Sequence, residues 1–433
     1  LKINFKNLSG KSSDLSDFFS LFGGQIILPM PTSKTFLCIS NYFKGNAFLI
    51  ALKKQGNKVF LVTTEKLRDK PWAFEYIDEI FYMPGQDLDW DMNLLLKGVG
   101  GLMKDHKIEA IIALDDYDVE KAAFLRENLR IPGMGQSTGR YFRDKLAMRM
   151  RAKDAGIRVP SFSPLFNNEE INHFADTVEA PWVLKPRSEA SAHGIIKVHN
   201  KEDLWKHINE LGENRVYYLV EQFKPGDVFH ADGLQLDGKT VFLTVSRYLA
   251  TPMEISQGGG IFRSANIKYA SDDDKAIKKV NEAIMNAFGL KHGASHTEFI
   301  KSREDGEIYF LETASRVGGA HLAEMVEAAS DINLWEEWAK IEDAVAKDEK
   351  YILPKVAKNY AGIVLTLSKY QVPDLSAFDD PEVCFRVPLD YHAGLIVKSS
   401  SQKRIMQLLD SYAERFAKDL STSAEAPEVK KFH

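Results

Sequence analysis

The chain has 433 residues, 44% hydrophobic and 27% charged, with a net charge of −5. That suffices for two or three domains with an ample core, and the negative balance argues against binding nucleic acid through a bulk basic field. No apolar run reaches the ~18 residues of a membrane span. Leu1 to Phe19 lacks a signal-peptide core, and an opening Leu in place of Met points to a trimmed chain.

Residues 36–130 alternate strand and helix signals. Phe36–Ser40, Lys58–Val62, Glu79–Met83 and Ile108–Leu114 read as strands; Asn46–Lys54 and Glu120–Glu127 read as helices. This β-α-β rhythm predicts a parallel sheet with helices on its faces. The turn Asn41–Asn46 holds one Gly and no Gly-x-Gly-x-x-Gly, so no dinucleotide site is expected there. Cys38 and Cys384 lie among apolar residues, which predicts buried thiols and a reducing, cytoplasmic setting. Ile131–Gly135 is a linker, followed by one helix from Thr138 to Ala155 that ends at Gly156 and Pro160. Residues 181–250 read as strands with one helix, Lys201–Leu211. Ser271 and Asp272 start an amphipathic helix over 272–289. Helices follow at His321–Ala329 and Trp335–Val345. Residues 351–433 mix strands such as Ala361–Leu367 with a helix at Gln402–Lys418, and the tail from Ser421 is expected to fray.

His296–Ile300 and Glu307–Glu312 read as two strands joined by Glu304-Asp305-Gly306, with Gly where positive φ is needed. Centred on Asp305, such a hairpin sets Glu298 directly opposite Glu312. Two facing carboxylates repel, and among apolar residues an unpaired charge is costly. A bound hard cation such as Mg²⁺ offsets both penalties. The plain alternative is an exposed hairpin with two solvated acids, and a one-residue slip would put them on opposite faces.

The strand Pro181–Lys185 runs into the small-residue loop 188–194, whose free N–H groups suit phosphates, with Lys185 adding charge. The plain alternative is an ordinary surface hairpin with a snorkelling lysine. Glu221-Gln222-Phe223 ends a strand before the Lys224–Asp227 turn, where backbone groups can meet a purine edge. Arg316 follows Glu312 by four residues and suits bidentate recognition of carboxylate or phosphate. Gly318-Gly319 lets a ligand approach the next helix start. Gly258–Gly260, with Arg263 beyond it, reads as a mobile loop or a flexible linker.

The order Asp144-Lys145, Lys185 with its small-residue loop, Glu221-Gln222-Phe223, Glu298, then Glu312 with Arg316 resembles the ATP-grasp superfamily of carboxylate–amine ligases. The resemblance covers Ile131 to Ala329 in detail, and the Glu312–Gly319 stretch looks most like the L-amino acid ligase branch. It implies a mixed α/β and α+β fold: a Rossmann-like pre-ATP-grasp domain over 1–135, an ATP-grasp domain of two subdomains over 136–350, and a small C-terminal α+β subdomain over 351–433. It implies ATP held by Lys145, Lys185, Ser188, Ser191, Ala192, Gly194, Glu221, Gln222, Phe223 and His230. Glu298 and Glu312 would hold Mg²⁺ or Mn²⁺. Arg316, Lys185 and Arg263 would stabilise the transferring phosphoryl group or hold a substrate carboxylate. The implied reaction forms an amide through an acylphosphate, with amino acids as substrates and two loops, 190–194 and 258–260, as lids over it. A homodimer is a family-level expectation. Two positions depart from the family pattern: Ala314 where a metal-binding Asn is common, and Val228, with Asp227 one residue off, where an acid near the ribose is common. They motivate two alternatives: activation of bicarbonate or another small acid with a partner chain, and a non-catalytic nucleotide-binding module.

Overall fold

The structure, a computed structural model, describes residues 33–85, 90–189, 194–251, 253, 255 and 260–422. Ser191, Ala192, Gly258, Gly259 and the tail beyond Thr422 lie outside the described residues.

The N-terminal region is a four-stranded parallel sheet in the order β3-β2-β1-β4, built from β1 (Thr35–Ser40), β2 (Lys58–Thr64), β3 (Glu79–Met83) and β4 (Ala110–Ala113). Phe36, Leu37, Cys38 and Ile39 are fully buried, because helices cover both faces of a parallel sheet and leave no polar alternation. Helix α1 (Asn46–Lys54) follows Gly45, whose φ is +87° and where a Cβ would meet Leu114 Cδ1 at 2.8 Å. Helix α2 (Met92–Leu102) is not among the sequence expectations; Gly98, Gly100 and Gly101 weaken its signal. Asp91 starts it by accepting from the N–H groups of Asn93 and Leu94. Helix α3 (Val119–Leu129) closes this layer.

The single helix expected over 138–155 is two helices, α4 (Gln136–Arg140) and α5 (Lys145–Asp154). Asp144 breaks them apart. Its carboxylate accepts from Leu146 and Ala147 N–H as the cap of α5 and pairs with Arg187. The cap makes Lys145 the first residue of α5.

A second sheet, β5-β8-β6-β7, is antiparallel and consists of β5 (Phe162–Pro164), β6 (Trp182–Pro186), β7 (Ile196–Val198) and β8 (Tyr218–Gln222). Helices α6 (Asn168–Thr177) and α7 (Lys201–Leu211) bury Ile171, Phe174, Leu204 and Ile208 against Trp182, Leu184 and Val220.

The third sheet has eight antiparallel strands in the order β13-β12-β9-β10-β11-β14-β16-β15. These are β9 (Gly226–Leu236), β10 (Lys239–Tyr248), β11 (Phe262–Asn266), β12 (Gly293–Ser302), β13 (Ile308–Ala314), β14 (Tyr360–Leu367), β15 (Val383–Arg386) and β16 (His392–Ser399). Strands from the C-terminal region thus continue this sheet, with β11 pairing β14 from Phe262↔Leu365 to Ala265↔Gly362. Helices α8 (Asp272–Phe288), α9 (Leu322–Ser330), α10 (Leu334–Lys347) and α11 (Gln402–Asp419) pack on it.

Helix α10 fastens the first sheet to the third. Phe48 and Trp338 meet edge-on at 4.8 Å, and Asn57 donates to Asp343 at 2.6 Å. Cys38 is buried and its thiol is pushed up by that burial. Cys384 is exposed, contrary to the expectation of a buried thiol, because β15 is an edge strand. Ser421 bridges to Ser368, so the last described turn is held. Among the described residues no helix is long and apolar enough to cross a membrane.

Candidate active site

The site begins at the β12–β13 hairpin. Ser302 N–H donates to Glu307 O, Asp305 accepts from Glu307 N–H, and Gly306 takes φ +73°. Lys301↔Ile308, Ile300↔Tyr309 and Phe299↔Phe310 then pair in a regular ladder. Carried on unbroken, that ladder would set Glu298 against Leu311. Instead the register shifts by one residue, and Glu298 pairs with Glu312 as expected from the sequence. Leu311 is therefore the extra residue of a β-bulge. β13 is the outermost strand of its sheet, where a bulge disturbs only one ladder.

Each carboxylate has fixed company. Tyr248 OH donates to Glu298 Oε1 at 2.8 Å, and His296 Nε2 lies 3.6 Å from the same oxygen. Lys145 Nζ sits 2.7 Å from Glu312 and donates to Glu189 O at 2.6 Å. Burial alone would raise the Glu312 carboxyl, but Lys145 and Lys185 outweigh it and hold the group below its ordinary value. Both acids face one cavity of about 680 Å³, which Lys145, Lys185 and Arg316 also line. Arg316 donates through Nε and Nη2 to Asp116 Oδ2 at 2.8 and 2.5 Å. Asp116 follows the end of β4, so the first sheet supplies an acid to a site otherwise built on the other two sheets.

The second wall is a buried ion network. Lys185 Nζ pairs with Glu221 Oε1, and Arg149 Nε donates to Oε2 of the same carboxylate at 2.9 Å. Arg149 is fully buried, and Glu221 and Lys185 nearly so. Burial lowers the Lys185 ammonium to about 8, Glu221 opposing that fall and Arg149 and Lys145 adding to it. Each oxygen of Glu221 thus already accepts from a buried cation. The carboxylate braces Lys185 and also lines the cavity. Gln222 and Phe223 line the cavity, but their N–H groups are spent on Ser161 O and Pro181 O.

Four expected site residues, His230, Arg263, Ser188 and Gly194, do not line the cavity. His230 is fully buried and does not line the cavity. Its Nδ1 is bonded to Asp232 at 2.6 Å and its Nε2 to Ser264 at 2.7 Å, which leaves no ring nitrogen for a nucleotide. Asp232 in turn bonds His296 at 2.8 Å, so a buried Ser264–His230–Asp232–His296 chain stands behind Glu298. Gly318 is needed beside it: a Cβ there would meet Asp232 Oδ1 at 2.9 Å and His296 Nδ1 at 3.1 Å. Arg263 pairs with Asp410 on α11 at 2.6 Å, while its strand neighbour Phe262 lines the cavity. Alternation along β11 turns the arginine to the other face. Ser188 and Gly194 flank the small-residue loop; Ser188 is half-buried and does not line the cavity, whereas Glu189 and Ile195 do. At Gly194 φ is +70°, and a Cβ would meet Pro186 Cγ at 3.0 Å. Ala314 and Val228 line the cavity with apolar groups, and Asp227 is engaged by Arg303 at 2.8 Å.

Sequence reasoning missed Arg149, Asp116 and Tyr248. The i, i+4 spacing of Lys145 and Arg149 on one helix is a signal for the first. For Tyr248 and Asp116 no local pattern marks the role, since each meets its partner across 50 and 200 residues.

Residues 178–324 match the family model described as an ATP-grasp domain. The chain is 28% identical over 244 residues to an L-arginine-specific L-amino acid ligase of Bacillus subtilis, covering 54% of this chain and 58% of that protein. It thus spans about three-fifths of that relative's length. It is 27% identical over 277 residues to a D-alanine–D-alanine ligase of Fusobacterium nucleatum, covering 63% of this chain and 82% of that protein. Among solved structures, the L-amino acid ligase from Bacillus licheniformis superposes with a TM-score of 0.69 at 17% identity, over 92% of this chain and all of that one.

Proposed function

Given that this chain carries an ATP-grasp domain, we propose that it joins a carboxylate to an amine at the expense of ATP, through an acylphosphate, with an amino acid as substrate. The observation that carries this reading is the facing of Glu298 and Glu312 across one cavity that Lys145, Lys185 and Arg316 also line. Two opposed carboxylates form an oxygen-only donor set that fits Mg²⁺ or Mn²⁺. Such an ion, when bound, supplies positive charge to the phosphates of ATP. Ala314 adds no donor to that set.

The chain's own residues perform the remaining tasks. Lys185, fixed by Glu221, and Lys145, fixed by the Asp144 cap, present ammonium groups to the phosphates. A substrate carboxylate oxygen attacks the γ-phosphorus, and ADP leaves. Arg316 stabilises the charge spread over the transferring group. The amine nitrogen then attacks the acyl carbon, the bond to phosphate breaks, and an amide, inorganic phosphate and a proton are released. Asp116, paired with Arg316, fixes the guanidinium at the cavity wall. The acylphosphate must be kept from water.

The test is a hydroxamate assay with ATP, Mg²⁺ and hydroxylamine across a panel of amino acids and small carboxylic acids. A hydroxamate formed with one amino acid supports the reading and names the carboxylate donor. Signal from non-amino acids alone replaces the substrate class. ATP binding with no hydroxamate from any acid favours the non-catalytic module.

A further inference from the structure

The bulge at Leu311 has a cost that the sheet itself does not meet. A bulged residue drops out of the ladder, and a buried carbonyl left without a donor is destabilising. Leu311 O accepts instead from Arg149 Nη1. The same guanidinium donates through Nε to Glu221, and its face lies 5.7 Å from the Phe310 ring. One turn earlier on α5, Lys145 holds the carboxylate of Glu312. Helix α5 thus grips the edge strand at two successive points: the carbonyl of Leu311 and the side chain of Glu312.

Stability alone is a poor reason for an arginine here. The side chain is wholly buried, and its Nη2 has no hydrogen-bond partner. A buried cation with a loose donor is expensive, and the bond to Glu221 offsets only part of that cost. What an apolar side chain cannot do is tie the bulge carbonyl to the strand end that braces Lys185.

Resting on the ATP-dependent reading above, we infer that Arg149 is a positioning residue: by fixing the Leu311 bulge it holds Glu312 opposite Glu298, and so sets the affinity for the divalent cation that accompanies the nucleotide. It touches neither the metal nor the nucleotide. Residues that orient metal ligands from behind typically change metal affinity by about 10–100-fold when replaced. Arg149→Met is expected to fall in that range.

The measurement is a Mn²⁺ titration, read as free-ion electron paramagnetic resonance signal, at saturating ADP, paired with the melting midpoint in the absence of ligands. Arg149→Met should weaken Mn²⁺ binding about 10–100-fold under conditions where the variant is fully folded, whatever the fall in midpoint that comes from leaving Glu221 one cation short. A purely structural residue gives a lowered midpoint and unchanged Mn²⁺ affinity, and that result overturns the inference. Arg151→Met, which removes a donor from the outer side of the same helix, should leave Mn²⁺ affinity unchanged; an equal loss there also overturns it. If Arg149→Met does not fold, Arg149→Lys carries the test. It keeps a charge for Glu221 but lacks the second arm for Leu311, so weakened Mn²⁺ binding supports the inference and wild-type binding refutes it. A wild type that binds no Mn²⁺ with ADP would sink the ATP-dependent reading itself, an outcome distinct from a variant that binds as well as wild type.

Discussion

Two charged networks flank the cavity, and they are built on opposite plans. Lys185 and Glu221 on the second sheet and Arg149 on α5 spend their charges on one another, all three buried. On the β12–β13 hairpin, Glu298 and Glu312 face each other and share no hydrogen bond, and only part of their capacity is met by Tyr248 and Lys145. The difference separates a brace from a binding surface. A buried network closed on itself contributes rigidity and is costly to break. Like charges side by side on one cavity wall are relieved when a cation binds between them. Removing the shared anion of the first network should therefore act mainly on stability, and removing a charge from the second mainly on turnover.

The largest effect should come from the open network. Glu312→Gln keeps the shape of the side chain and removes the charge. Stabilisation of phosphoryl charge by a bound cation is worth several kcal/mol, so the hydroxamate rate should fall about 10³-fold or more. The circular dichroism spectrum should stay native. Near-normal turnover would remove the cation site from the hairpin.

The closed network should show the converse. Glu221→Gln leaves Lys185 and Arg149 buried with no anion between them. Breaking a buried ion pair by deleting one partner costs about 3–5 kcal/mol. The denaturant midpoint should drop accordingly, well beyond that of Glu312→Gln. Equal losses of stability in the two variants would erase the distinction between brace and binding surface.

A gentler probe is pH. Lys185 is lowered to about 8, first by burial, against Glu221 and with Arg149 and Lys145. Its charge, and with it nucleotide affinity, should decline as pH rises through about 8. Stability runs the other way. Between about 8 and the ordinary 10.5 the unfolded chain holds a proton that the folded chain has lost, so this group's contribution to stability rises with pH over that window. Calorimetric titration with ADP at pH 7 and pH 9 checks the first statement; Lys185→Met should abolish the difference. An affinity that is flat across that range would mean Lys185 stays charged or does not meet phosphate.

How far the site could be read from the chain depends on the kind of signal. The parallel sheet, the acidic hairpin and the Lys185–Glu221 strands follow from local periodicity and turn residues, and they form as expected. The Glu298–Glu312 pairing was reached by placing the hairpin centre on Asp305. In the structure the turn closes at Ser302–Glu307, half a residue from that centre, and the Leu311 bulge restores the pairing. No local pattern distinguishes that bulge from a regular strand. The split of α4 from α5 turns on Asp144 choosing a cap over a mid-helix position, a choice tied to Arg187 more than forty residues on. The resemblance implies nucleotide contacts for both His230 and Glu221; Glu221 lines the cavity, whereas both ring nitrogens of His230 are held by Asp232 and Ser264. Which side chains a buried strand spends on neighbouring strands is a tertiary fact, and in a sheet covered on both faces the apolar pattern does not say which face meets the ligand.

Arg263 offers the smallest and most pointed test of that last lesson. It shares β11 with Phe262, and a shift of one residue would exchange their faces. Facing α11, it forms one ion pair with Asp410, whose side chain is 63% exposed. A pair so open to water is worth under about 1 kcal/mol, so Arg263→Gln should barely move the melting midpoint and should leave the hydroxamate rate within about twofold of wild type. Because the opposing expectation, a substrate-binding arginine, demands a large rise in KM for the acid, the same kinetic series decides between them. A strong KM effect would mean that the strand face bearing Arg263 reaches the ligand, and the wall of the cavity would have to be redrawn to include it.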